Sequence, residues 1–84
     1  MKMTLANDIF VNIKERILMM KDLNETEILL ESTFESLGFD SLDYIELQIL
    51  TQDLYRIKVP DEIFYQRNIV SIKDIANYIS MEFS

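Results

Sequence analysis

The sequence contains no cysteine, no histidine and no tryptophan, one glycine and one proline, and only eight Lys plus Arg against fifteen Asp plus Glu. Each shortage excludes something. Without cysteine there is no disulfide framework and no thiolate nucleophile, and without histidine there is no imidazole base and no ordinary zinc ligand set. A serine hydroxyl lacking a neighbouring base is a poor nucleophile, so the chain reads as a substrate of other enzymes and not as an enzyme itself. The net charge of −7 argues against nucleic acid and anionic membrane surfaces and favours basic partners. No apolar run approaches the ~20 residues of a membrane span. After Met1, the apolar residues are interrupted by Asp8, Asn12, Lys14 and Glu15, which leaves no signal-peptide core. The expectation is a soluble, monomeric, cytoplasmic protein of one domain, residues 1–84, near the size where burial only just offsets conformational entropy.

What the chain does have is helical periodicity. Leu5, Ile9, Ile13 and Ile17 recur every four residues, with Ala6, Phe10 and Met20 widening the stripe, which predicts a helix from about Thr4, its cap, to about Met20. The pattern then breaks into a long acidic connection from Asp22 to Phe39. It holds a helical turn signalled by Asn24 and Glu27, and Leu30, Phe34 and Leu37 are expected to pin it to the core. A second long helix is predicted from about Ser41 to Tyr55. Arg56 to Pro60 has no partner strand and reads as a connection. Asp61 and Glu62 offer a cap for a short helix that runs through about Phe64 or Tyr65, with Ile63 and Phe64 turned inward. The last helix follows Ser71 as N-cap with Asp74 three residues on, and its core face is Ile72, Ile75, Ala76, Ile79 and Phe83. The fold class is all-α: a four-helix bundle with three longer helices, one short helix and a long first loop.

The stretch Gly38-Phe39-Asp40-Ser41-Leu42-Asp43 stands at the mouth of the second long helix. Asp40 is predicted as N-cap, with Asp43 as its reciprocal partner, which puts Ser41 at the first helical position with its hydroxyl toward solvent. An anionic group on that hydroxyl would lie beside unpaired backbone N–H groups and the positive end of the helix dipole. At about 100° per residue the helix carries two apolar stripes. Leu47, Leu50 and Leu54 are expected to face the core. The second stripe, Leu42, Ile45 and Ile49, begins beside Ser41 and is flanked by Glu46 and Asp53, the composition of a docking surface. Gln48, Thr51 and Gln52 are read as exposed.

Leu37 to Asp43, then Glu46-Leu47, then Ile57 to Glu62, together resemble the acyl carrier proteins in residues and spacing, and the resemblance covers nearly the whole chain. It implies a bundle of the acyl-carrier type and a covalent 4′-phosphopantetheine arm on Ser41, the serine of the Asp-Ser-Leu motif formed by Asp40, Ser41 and Leu42. The arm brings the thiol on which acyl groups ride as thioesters. It further implies a phosphopantetheinyl transferase and acyl-loading and acyl-processing enzymes with basic docking surfaces as partners. Their recognition surface would be Leu42, Ile45, Glu46, Ile49 and Asp53, with Phe64 and Tyr65 as neighbours, and the interior would open to enclose an acyl chain.

Two departures from the family pattern, Phe39 and Tyr44 where small residues are common, enlarge the apolar character around Ser41. The neutral Gln48, Thr51 and Gln52 make the second helix less acidic than in many fatty-acid carriers. The pathway is thereby open between fatty acid, polyketide and other specialised products. An aminoacyl carrier is a variant of the same class. The alternative from another class is a helical interaction module without the arm, in which Asp40 to Asp43 is only a cap. A calcium-sensor-like protein, suggested by the acidity and the five methionines, ranks below both, because no stretch has the alternating oxygen ligands, central glycine and terminal glutamate of a calcium loop.

Overall fold

The computed structural model describes residues 4–83, with side chains from Ala6 to Phe83. Four helices follow in order: α1 (Thr4–Met20), α2 (Ser41–Tyr55), α3 (Asp61–Gln66) and α4 (Ile72–Phe83), with a short 3₁₀ turn at Glu25–Glu27 in the first loop. The predicted elements are all present, and no strand occurs among the described residues. Thr4 and Leu5, proposed as cap and stripe residues of α1, lie outside the residues whose side chains are described.

Each helix contributes one apolar face. Ile9, Ile13 and Ile17 of α1 meet Ile72, Ile75, Ala76 and Ile79 of α4, and Leu47 and Leu50 of α2 close the core between them. α3 is different. Its Ile63 and Phe64 do turn toward the core but are only half-buried, so this short helix rests on the bundle without penetrating it.

The connections also supply core. Ile28, Phe34 and Leu37 from the first loop, and Val59 and Ile69 from the later ones, are as buried as the helix residues. The loop is pinned by Phe34 and Leu37 as expected, but the third pin is Ile28, while Leu30 is only half-buried. Backbone bonds decide this. Phe34 N–H donates to the Val70 carbonyl at 2.9 Å, Ile72 N–H to Ser32 at 3.1 Å and Lys73 N–H to Leu30 at 2.8 Å, so the loop lies along the start of α4. That register turns Ile28 inward.

Three further expectations are corrected. Thr51 has no exposed surface: it lies about 40° from Leu47 on the helical wheel, on the core face, and its hydroxyl sits 2.9 Å from the Gln48 carbonyl and 3.1 Å from that of Ile57. Gln48 is half-buried, its amide donating to Val59 O at 2.9 Å and Asp61 Oδ1 at 2.8 Å, which ties α2 to the start of α3. Leu54 and Phe83, both assigned to the core, are 51% and 52% exposed. They stand on the correct faces, but in the last turns of α2 and α4, where half of each side chain stays in solvent. Phe83 packs edge-on against Tyr55 at 5.9 Å instead.

The N-terminus of α4 is capped as predicted, Asp74 N–H donating to Ser71 Oγ at 3.1 Å and Val70 N–H to Asp74 Oδ2 at 3.0 Å. α3 is not capped by Asp61 or Glu62. Pro60 holds the cap position and both acids fall in the first helical turn, where they complement the dipole.

Candidate functional site: the start of α2

The approach to α2 is built by a turn that ends on the only glycine of the chain. Gly38 N–H donates to Glu35 O at 3.0 Å and Phe39 N–H to Phe34 O at 3.0 Å, the bond pair of a Schellman motif. The residue between them must be left-handed. Gly38 adopts φ +75°, a conformation that a side chain would strain. The motif also brings its two flanking apolar residues together, and the Phe34 and Phe39 rings lie 5.0 Å apart.

The chain then turns into α2 through a reciprocal cap. Asp43 N–H donates to Asp40 Oδ1 at 3.0 Å, and Asp40 N–H donates back to Asp43 Oδ2 at 3.0 Å. Ser41 is therefore the first helical residue, and it is exposed. Among the described residues its hydroxyl has no hydrogen-bond partner, and neither have the N–H groups of Ser41 and Leu42. Free donors at the positive end of a helix suit an anion.

One residue that the sequence did not single out locks this arrangement. Lys21, just past the end of α1, donates from Nζ to Asp43 Oδ2 at 2.8 Å and to the Gly38 carbonyl at 3.0 Å. It joins α1, the glycine turn and the cap of α2. The Lys21 ammonium beside it holds the Asp43 carboxyl below the usual carboxylate range, against the opposing effect of its burial and with help from Asp40 N–H. A depressed folded-state pKa stabilises the fold above the ordinary carboxylate pKa, and this contribution disappears as pH falls through that range and below. Lys21→Met is expected to cost about 1 kcal/mol at pH 7, less than for a fully buried pair because both side chains keep some solvent contact. In urea titrations the gap between variant and wild type should close as the pH is lowered through 4 toward 2, the range about the ordinary carboxylate pKa. A gap that stays constant with pH would show that Lys21 acts only by packing.

Beside Ser41 a cleft of about 470 Å³ opens between α2 and α3. Tyr44, Ile45, Phe64, Tyr65 and Ile69 make it largely apolar, while Asp61 and Asn68 add polar groups to its lining. Phe64 and Tyr65, expected beside the recognition surface of α2, both line it. Asn68 was missed. It adopts φ +53°, and Ile69 N–H closes back on Phe64 O at 2.9 Å, so the asparagine ends α3 much as the glycine ends the first turn. An Asn after a short helix was the available signal. Burial, followed by nearby Tyr65 and Glu35, pushes the Tyr44 phenol up, so it is neutral at physiological pH.

The residues proposed for docking do share one surface. Leu42, Ile45 and Ile49 are 70%, 48% and 45% exposed, whereas Leu47 and Leu50 are buried. The carboxylates at the edge differ from each other. Glu46 accepts from Arg16 of α1 at 3.2 Å, so a positive charge stands at the border of the strip.

A helical bundle that presents an exposed serine at a capped helix start, beside an apolar cleft and an apolar strip, has the features that a carrier of a covalently attached arm needs. Comparison with known proteins agrees. The family described as "Phosphopantetheine attachment site" matches residues 12–79. The acyl carrier protein of Wolinella succinogenes is 38% identical over 72 residues, spanning 84% of this chain and 92% of that protein. Those of Clostridium acetobutylicum and Campylobacter concisus are 36% and 31% identical over the same length, each spanning 84% of this chain and 91% of the relative. The chain belongs to the phosphopantetheine-binding family of acyl carrier proteins. It is a carrier and not a catalyst, its cofactor is 4′-phosphopantetheine, and its role implies a transferase and biosynthetic enzymes as partners. No helix among the described residues is long and apolar enough to cross a membrane.

Proposed function

We propose that Ser41 is the attachment point of the arm, with Asp40 and Leu42 completing its recognition, and that Leu42, Ile45, Glu46, Ile49 and Asp53 form the surface read by partner enzymes in the cytoplasm. The observation that carries the proposal is the exposed hydroxyl of Ser41 at the first position of α2, between free helix N–H groups and the mouth of the α2–α3 cleft. A phosphodiester fits there. The N–H groups of Ser41 and Leu42 are free to face its oxygens, and the cleft has both apolar and polar lining for an extended amide-bearing arm.

This chain's part in the modification is limited to presenting Ser41. Its Oγ forms the new bond to phosphorus while the nucleotide half of coenzyme A leaves, and the hydroxyl proton passes to the transferase, since no base among the described residues contacts Ser41. Once attached, the arm supplies a thiol that holds an acyl group as a thioester. The test is incubation of the apo protein with a phosphopantetheinyl transferase, coenzyme A and Mg²⁺, followed by intact mass and peptide mapping. A single added pantetheinyl group on the peptide containing Ser41 is expected. Addition elsewhere, or none with several unrelated transferases, would overturn the proposal.

Partner enzymes should find the strip by charge as well as by shape. Glu46→Gln with Asp53→Asn is expected to leave stability within ~0.5 kcal/mol, because both side chains are exposed and the Arg16 pair is a surface pair. Initial rates of arm transfer should fall several-fold at low salt, and the wild-type rate should itself decline as salt shortens the Debye length toward ~8 Å. Equal rates for both proteins at low salt would leave recognition to the apolar strip alone.

A further inference from the structure

The two departures near Ser41, Phe39 and Tyr44, come together in the fold with residues from the first loop and from α3. Phe34, buried at the centre, has the Phe39 ring at 5.0 Å, Tyr44 at 5.6 Å and Phe64 at 6.2 Å. Tyr44 in turn meets Phe39 at 5.4 Å and Phe64 at 5.5 Å, both edge-to-face. The four rings form one connected layer. Tyr44 and Phe64 belong to it and also line the cleft beside Ser41, so the layer is the floor of that cleft. Between the cleft and the core, Tyr44 and Phe64 pack on each other and both pack on the buried Phe34.

Resting on the attachment of the arm at Ser41, we propose that this aromatic layer closes the bundle and that the cargo lies in the open α2–α3 cleft, on the faces of Tyr44, Ile45, Phe64 and Tyr65. The acyl group is held outside the core, where a short chain is covered and a long one projects into solvent. Five ring contacts among four aromatics on three segments, one tilted and four edge-to-face, resist being parted one at a time, because moving any one ring strips contacts from two or more others. The opposite behaviour, enclosure of the chain among Ile13, Leu50 and Ile79, would add buried apolar contact with every methylene and so stabilise the folded state progressively.

The experiment loads the apo protein with acetyl-, octanoyl- and hexadecanoyl-pantetheine from the corresponding coenzyme A thioesters and a broad-specificity transferase. Intact mass first establishes that each arm is attached. The thermal midpoint is then expected to be the same for all three forms, and retention on a hydrophobic-interaction column is expected to rise sharply for the hexadecanoyl form. A midpoint climbing by several degrees from acetyl to hexadecanoyl, with no rise in retention, would overturn the closed floor. Phe64→Leu opens the layer from α3 and should introduce the missing dependence of the midpoint on chain length. Tyr44→Leu makes the same test from α2 if the first variant does not fold. A flat response in both folded variants would show that the rings are not what excludes the chain. Absence of any mass gain in the wild type would instead overturn the attachment at Ser41, and with it this inference.

Discussion

Ser41→Ala is expected to fold as the wild type does and to accept no pantetheine arm. The two halves of this expectation have separate physical grounds. The α2 start is held by the Asp40–Asp43 cap and by Lys21, none of which uses the Ser41 hydroxyl. Ser41 is exposed at the first helical position, and alanine is the best helix former, so the change in stability should stay within ~0.5 kcal/mol. Asp40→Ala is the contrasting variant: it removes the side-chain acceptor and should cost about 1 kcal/mol while leaving the hydroxyl in place. Modification behaves in the reverse order, since it needs the Oγ as the atom that bonds to phosphorus and alanine has none. Urea titration and intact mass after transfer read the two effects independently. An arm on Ser41→Ala would move the site to another hydroxyl.

Leu47→Ala and Leu50→Ala are each expected to destabilise the protein by ~2–5 kcal/mol, whereas Ile45→Ala should cost less than about 1 kcal/mol. Both leucines are 2% exposed and enclosed between α1 and α4, so truncation loses the transfer energy of the removed atoms and leaves a cavity that rigid neighbours fill poorly. Ile45 keeps half its surface in water. A domain of this size has only ~5–15 kcal/mol of stability, so either leucine variant should melt far below the wild type. Guanidinium unfolding of the three variants decides the matter. A comparable loss at Ile45 would place it in the core and remove it from the docking surface.

The helix bounds and the cap of α2 were legible because they depend on neighbours three or four residues away. Asp40 and Asp43 reach each other through local backbone geometry, and Ile9, Ile13 and Ile17 share a face whatever they pack against. Ser41 was legible for the same reason: its position at the first turn follows from the cap before it. Gly38 could be placed at the turn, but its role as the left-handed residue of a Schellman motif needed the bonds from Gly38 and Phe39.

Distance in sequence marks what could not be read. Lys21 and Asp43 are 22 residues apart, and Arg16 and Glu46 are 30 apart. A lysine after a helix and a glutamate on a helix face are common features, and nothing local says which will meet. The burial of Ile28 was set by a loop register fixed through hydrogen bonds to the start of α4, and the half-exposure of Leu54 and Phe83 by how the last turns of α2 and α4 pack. Thr51 lay within reach of the wheel, but its polar side chain outweighed its angle until Gln48 O and Ile57 O appeared as partners.

By itself, then, the sequence determined the helices and the capped serine, because periodicity and capping are written within a turn or two of chain, while the kind of arm followed from the resemblance of the longer string to the acyl carrier proteins. Only the tertiary structure decided that Lys21 locks the cap, that Arg16 borders the exposed apolar strip of α2, and that Phe34, Phe39, Tyr44 and Phe64 meet near Ser41. Those contacts join segments whose relative placement comes from burying a common core, and no short stretch of chain contains that information.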